Sequence, residues 1–352
     1  GERSQISQAT REAFSNAGIA HILAISGLHM AIVAGFVFFV VRGLLALIQQ
    51  IALRYNTKKI AAFMTMVATT FYVSLCWDSI SARRAYFMIL AACCAILINR
   101  NAISLRTLMF AAIIILLFSP HSLYSVSFQM SFAAVTALIA AYEYYQPKLV
   151  LWNKEATLGK RFGLFFGSIL FTSTLATLAT SPITIYTFQK LSLHGLWTNL
   201  IAIPVTSLLI MPIISLQVIL MPIAESQILQ SLTSFGVNVL IDMAHMANAV
   251  EYGVLTFPKP SLLSLLLIVC GGLWFCLWKQ PWRKLAIVPV FIGGAMVAFN
   301  RPPTYLETND KTAHAEVIGG KLHIYGRRKT SFLAEQWSSL VGHLEVVEVK
   351  RN

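Results

Sequence analysis

Apolar residues fill most of this chain in runs of roughly 15 to 28 residues, parted by short polar stretches, as far as residue 299. Runs of that length exceed what a soluble core requires and match the hydrocarbon thickness of a bilayer. The pattern predicts spans at about 20–49, 59–77, 80–98, 103–119, 126–145, 162–187, 195–222, 226–255, 261–278 and 284–299. The eighth carries Asp242, His245, Asn248 and Glu251 and is the least apolar. The fold class expected is an all-α polytopic membrane protein, a bundle of about ten transmembrane helices.

The flanks follow other periods. In residues 6–17, Ile6, Ala9, Ala13, Phe14 and Ala17 share one helical stripe and Gly18 supplies a stop, so a short amphipathic helix lying in the interface is expected. From Arg301 a polar linker leads into AEVIGGKLHIYG, alternating about a Gly-Gly turn, then TSFLAEQWSSLVG and HLEVVEVK. These predict a hairpin, a helix and a strand, a small α+β appendage. The domains expected are therefore 1–19 interfacial helix, 20–300 transmembrane region and 301–352 extracytoplasmic appendage.

Composition agrees: 57% of the 352 residues are hydrophobic and 12% charged, against about 25% charged in soluble domains. Charge also orients the chain. Alternate connections hold Arg54, Lys58 and Lys59; Arg100; Lys148, Lys154, Lys160 and Arg161; and Lys279, Arg283 and Lys284, whereas the opposite set holds little beyond Lys190 and Lys259. By the positive-inside bias the first set is cytoplasmic and both termini face outward. The net charge of +13 has the same origin and does not by itself imply an anionic partner. Cys76, Cys93, Cys94, Cys270 and Cys276 lie in apolar runs without metal-ligand spacing, which favours packing over redox or metal roles. The opening GERSQISQATREAF has no initiator Met, as expected of a piece of a longer protein.

An unsatisfied polar group in hydrocarbon costs several kcal/mol, so polar residues inside spans carry the information. In HILAISGLHM, His21, Ser26, Gly27 and His29 read either as a polar constriction at the outer mouth of a wet path or as a helix end in the interface. In DSISARRAYFM, Arg83 and Arg84 differ by about 100° around a helix, so one faces outward while the other faces inward toward phosphate groups; an Asp78 ion pair is the alternative. Phe128, Gln129 and Ser131 stand at a span entrance, where the amide requires a partner within the bundle or in a path. Seven hydroxyl residues between Thr172 and Thr184 precede or flank Pro182 and imply a kinked, polar face or tight packing. Asn199 and Pro204 open the next span and imply a broken or bent helix. A Ser26-His29 hydrolase lacks an orienting acid, and no Walker A loop, H-E-x-x-H or paired-aspartate motif occurs, so neither catalysis nor a metal or other cofactor is expected.

HILAISGLHMAIVAG (21–35) resembles the signature of the ComEC family, the inner-membrane channels of DNA uptake in natural transformation. SARRAYFM (81–88), SPHSLYSVSFQMSFAAV (119–135) and TSPITIYTFQKLSLHGLWTNLIAIPV (180–205) are similar, in order, to later segments of that family. The resemblance places His21, Ser26, Gly27, His29, Arg84, Phe128, Gln129, Ser131, Asn199 and Pro204 in family motifs. Relatives often add an outer OB-like domain and a C-terminal metallo-β-lactamase-like domain. Residues 301–352 hold only His314, His323 and His343 and no His-x-His-x-Asp-His cluster, so a nuclease is not expected in them.

What the resemblance implies is a conduit passing single-stranded DNA across the cytoplasmic membrane, with sparse polar groups that do not trap the strand. It also implies a separate DNA-binding receptor and a cytoplasmic motor or strand-handling protein. A secondary transporter of a small anionic solute, built on broken helices, is the competing reading; an intramembrane enzyme using Ser26 with His29, or His21 and His29 with a metal, is the third.

Overall fold

The structure is a computed structural model. It describes residues 6–23, 27–154, 158–220, 226–250, 253–307, 313–326, 331–342 and 344–349, without the side chains of 147–154, 158, 218–219, 326, 331–333, 335 and 348–349. The helices are α1 (Gln8–Asn16), α2 (Gly27–Leu47), α3 (Gln49–Arg54), α4 (Thr57–Leu75), α5 (Ile80–Leu97), α6 (Leu105–Phe118), α7 (Val126–Lys154), α8 (Leu158–Phe188), α9 (Gly195–Pro204), α10 (Met211–Leu220), α11 (Gln227–Asn248), α12 (Leu262–Leu277), α13 (Ile287–Ala298) and α14 (Ser331–Leu340). The strands are β1 (Lys190–Ser192), β2 (Val254–Thr256), β3 (Tyr305–Glu307), β4 (Ala313–Ile318), β5 (Lys321–Gly326) and β6 (Val346–Val349).

Each of the ten expected segments contains helix, but a count of ten crossings is not confirmed. Among the described residues six helices are long and apolar enough to cross a membrane: Gly27–Leu47, Ile80–Leu97, Val126–Gln146, Gly159–Phe188, Gly195–Gln217 and Pro281–Ala298. Leu105–Phe118 and Leu262–Leu277 are apolar but shorter than the roughly 20 residues a straight crossing requires. The first span begins at Gly27 and not near residue 20, because Ala20–Ile22 form a 3₁₀ turn ahead of it.

Local chemistry sets the helix boundaries. Ser7, Asn56, Ser79, Ser104, Ser226 and Ser261 each accept a hydrogen bond from a backbone N–H in the following first turn, satisfying donors that would otherwise have no partner. At the far end of α1, Gly18 adopts φ 75°. Its N–H reaches the Ser15 carbonyl and the Ile19 N–H reaches Phe14, a Schellman stop closed by the contact between Phe14 and Ile19.

The chain forms two compact units, Gly1–Ala176 with Leu193–Gly253, and Thr177–Ser192 with Val254–Asn352. In the first, α2 packs on α4 and α5, α5 packs on α6 and α7, and α1 lies against α11. The core around α1 joins Ala13, Phe14, Ala17 and Ile19 to Ala202, Ile210, Leu240, Met243, Ala244 and Ala247. The apolar stripe of α1 is thus spent on protein helices.

In the second unit β1 pairs antiparallel with β2, a ladder the hydropathy pattern does not announce because each strand has three residues. The C-terminal sheet runs β3-β4-β5-β6, antiparallel except for the β5–β6 pair. The expected hairpin, helix and strand are all present, with β3 added from the stretch read as linker. Ala313, Ala315, Leu322, Trp337 and Val341 form its core, and Lys321 bridges Glu345 at 2.7 Å on the surface.

α12 and α13 approach closely through small residues. A Cβ on Gly271 would lie 2.7 Å from Val290, and one on Gly293 would lie 2.7 Å from Ile268 and 2.8 Å from the Ser264 carbonyl. Backbone proximity of this kind supplies the packing that joins helices in lipid. Gly293→Ala is expected to cost about 1–3 kcal/mol and to lower the thermal midpoint of the detergent-solubilised protein, while Gly272→Ala, whose Cβ position is open, leaves it unchanged.

Candidate functional site

The expected site residues fall on α2, α5, α7 and α9 and on the turn before α2, all within the first unit. Ser26 lies outside the described residues.

His21 sits in the 3₁₀ turn Ala20–Ile22. Much of the residue's surface is open, but its ring is crowded by protein atoms. That desolvation holds the imidazole below the usual histidine range; the charge of the nearby His29 adds to the depression and a hydrogen bond to the Gly18 backbone opposes it. The two histidines are therefore electrostatic neighbours although eight residues separate them. His29 is half-buried on the first turn of α2. Two residues earlier, Gly27 sets α2 against α5: a Cβ there would lie 3.6 Å from the Cβ of Ala85. Met30 is fully buried against Val73, Ala82 and Ala85.

That contact puts the start of α2 beside the residue following Arg84. Arg84 is 5% exposed, an unusual burial for a guanidinium. Its Nη2 donates to Ser127 Oγ on α7 at 2.7 Å, while Nε and Nη1 are shielded and have no partner among the described residues. Arg83 is half-buried and lies over the ring of Trp77 at 5.6 Å. The two arginines thus differ in burial, as their 100° offset allows, and among the described residues neither is bridged to Asp78. Phe128 is buried and packs on Phe132 at 4.3 Å. The Gln129 amide donates to the Leu123 carbonyl at 3.0 Å in the turn before α7, a local closure. Ser131 is half-buried one turn beyond Ser127.

Asn199 is buried, and among the described residues its Oδ1 has no partner. Its amide lies 3.9 Å from the position of a Cβ on Gly195, which would also lie 3.6 Å from the Gly18 carbonyl. Thr198 Oγ1 reaches the Ala17 carbonyl at 2.9 Å. α9 is thereby seated on the same Gly18 corner that receives the His21 ring. Pro204 ends α9, and Val205–Ile210 form a π-helical turn, the local rearrangement expected where proline removes a backbone donor. By contrast the hydroxyls of Thr172, Thr174, Ser181 and Thr184 bond carbonyls of α8 itself, which runs on past Pro182. They satisfy their own polarity and need no path.

Sequence reasoning missed Ser127. Its only signal is the spacing of four from Ser131, which places both hydroxyls on one face of α7. It also missed His194, a buried ring that accepts from Trp197 Nε1 at 3.3 Å, sits 3.3 Å from the Val250 carbonyl and fills the place a side chain on Gly253 would occupy.

The Competence protein family model matches residues 1–282. The chain belongs to the Competence family. Over 212 residues it is 26% identical to ComE operon protein 3 of Bacillus subtilis, covering 60% of this chain and 24% of that protein. Over 224 residues it is 26% identical to Recombination protein 2 of Haemophilus influenzae, covering 61% of this chain and 26% of the relative. The chain spans about a quarter of the length of these Competence relatives. No solved structure matches it significantly.

Removing one partner of a buried charge pair is costly, but removing a buried charge with vacant donors relieves desolvation. Arg84→Met is therefore expected to keep or raise the thermal midpoint in detergent, read by scanning fluorimetry, whereas Gly253→Ala, which collides with His194, is expected to lower it.

Proposed function

We propose that this Competence-family chain is the membrane-embedded part of a DNA-uptake conduit that passes single-stranded DNA across the cytoplasmic membrane. The observation that carries the reading is the run of polar neighbours Asn199, Gly18, His21, His29 and, across the Gly27–Ala85 contact, Arg84 with Ser127. Costly polar groups set together within apolar helices mark substrate pathways in membrane proteins. A sparse line of donors suits a polyanion that has to leave as readily as it enters.

The proposal extends to topology. The ten helical segments cross in alternation, the short ones tilted or embedded between neighbours. The Arg- and Lys-rich loops face the cytoplasm, and both termini face outward. A receptor domain delivering the strand and a cytoplasmic motor drawing it through complete the machine. The names of the relatives, which refer to competence and recombination, support a role in DNA uptake.

The test is internalisation of fluorescent single strands in transformable cells whose own copy is replaced by this chain in its full-length context. Replacing His21 or His29 by Ala, or Arg84 by Gln, is expected to reduce uptake by about tenfold or more, given about 1.5–3 kcal/mol per charge-assisted hydrogen bond, with protein levels unchanged. Wild-type uptake in all three variants removes these residues from the path. Saturable uptake of a small anion by the same cells, indifferent to added DNA, replaces the conduit with a transporter.

A further inference from the structure

We infer that Arg84 and Ser127 form a recognition site for a single backbone phosphodiester of the strand, with Arg84 as the binding group and Ser127 as its positioning residue. The inference rests on the conduit reading for the identity of its ligand, though not for the existence of an anion site.

A guanidinium presents five N–H donors in one plane. Here one is used, by Ser127 Oγ at 2.7 Å from Nη2. Nε and Nη1, buried and without a partner among the described residues, leave a donor on each of the two edges of the plane suited to oxyanions. Among the described residues no carboxylate neutralises the group. A buried charge with neither counter-ion nor filled donors is expensive to maintain, and an anion that arrives transiently is what resolves it. The residues around it sharpen the ligand. Phe128 and Phe132 lie on the same helix as Ser127, Phe128 beside it and one turn before Phe132. Phe128 is buried against Phe132, so the group recognised is the phosphate and not the base. Arg83, committed to Trp77, does not share the site. One arginine gives one phosphate contact, enough to register a strand step by step without holding it.

Ser127 is exposed, so its hydroxyl is not retained to satisfy a buried group of its own. Its contribution is to fix the rotation of the guanidinium so that the free Nε and Nη1 donors keep one orientation for each arriving phosphate. Lysine, a point charge with no plane, cannot take over this geometry.

The experiment uses the whole chain in nanodiscs of phosphatidylglycerol and, separately, delipidated in detergent. The probes are inorganic phosphate, a twelve-residue oligothymidylate and the same oligomer with neutral methylphosphonate linkages. The expected result is oligothymidylate binding in both settings, lost with the methylphosphonate oligomer and weakened about tenfold or more by Arg84→Gln and by Arg84→Lys. Ser127→Ala weakens it by a smaller factor and Ser127→Thr restores it, a rescue that a packing role for Ser127 would not produce. Arg106→Gln, an exposed change of equal charge, leaves binding unaltered. Equal affinity for the neutral oligomer, or full affinity in Arg84→Lys, overturns the inference. So does phosphate binding that appears only after delipidation, which assigns the guanidinium to a lipid headgroup. Failure of strand uptake in cells while purified protein still binds oligothymidylate through Arg84 sinks the conduit and leaves the site standing.

Discussion

A polar group carried into hydrocarbon is costly unless it finds a partner, and among the described residues the first unit meets that demand at most places and leaves it unmet at a few, Arg84, Ser173, Asn199, Thr206 and Gln217 among them. Backbone ends are closed by serine and asparagine caps. Threonines turn back onto their own helix, as Thr65 and Thr69 do on α4. Gln129 is satisfied one turn away. Against that background Arg84 stands out, because a single hydroxyl answers it and two of its nitrogens go unanswered. The contrast separates residues that are polar for the sake of folding from residues that are polar for another purpose.

Position follows from small residues as much as from large ones. Gly27 lets α2 meet α5 at Ala85, Gly195 lets α9 meet the corner at Gly18, and Gly253 leaves space that His194 fills. Only at Gly253 would a methyl group collide with its neighbour, whereas at Gly27 and Gly195 it would just touch the facing backbone or side chain, in a setting where van der Waals contact, not water, drives association. The polar neighbours converge because the backbones beneath them do.

Much of this was visible before any coordinates. Runs of apolar residues marked all ten segments that hold helix, with some ends off by seven to nine residues, since hydrophobic length is a physical requirement of the bilayer, and Gly18 ended α1 because a residue without a Cβ enters positive φ at little cost. The offset of Arg83 and Arg84 foretold that they part company. The sequence could not show how many segments are long enough to cross, because hydropathy reads continuous apolar character where the backbone inserts a turn, as at Ala20–Ile22, though it did break at Pro120–Tyr124. Nor could it show that Ser127 answers Arg84 across 43 positions, or that His194 and Gly253 share one space, since nothing local to any of these residues encodes the meeting.

The π-helical stretch at Val205–Ile210 has an effect on how the whole α9–α10 rod must be compared with other sequences. A π turn accommodates one extra residue, so the phase of the rod slips between Pro204 and Met211. Side chains counted forward from Asn199 with α-helical periodicity would be assigned to the wrong azimuth by the time Gln217 is reached. Any relative that lacks the bulge should align with a one-residue gap in this stretch, and threading it ungapped would rotate its entire second half.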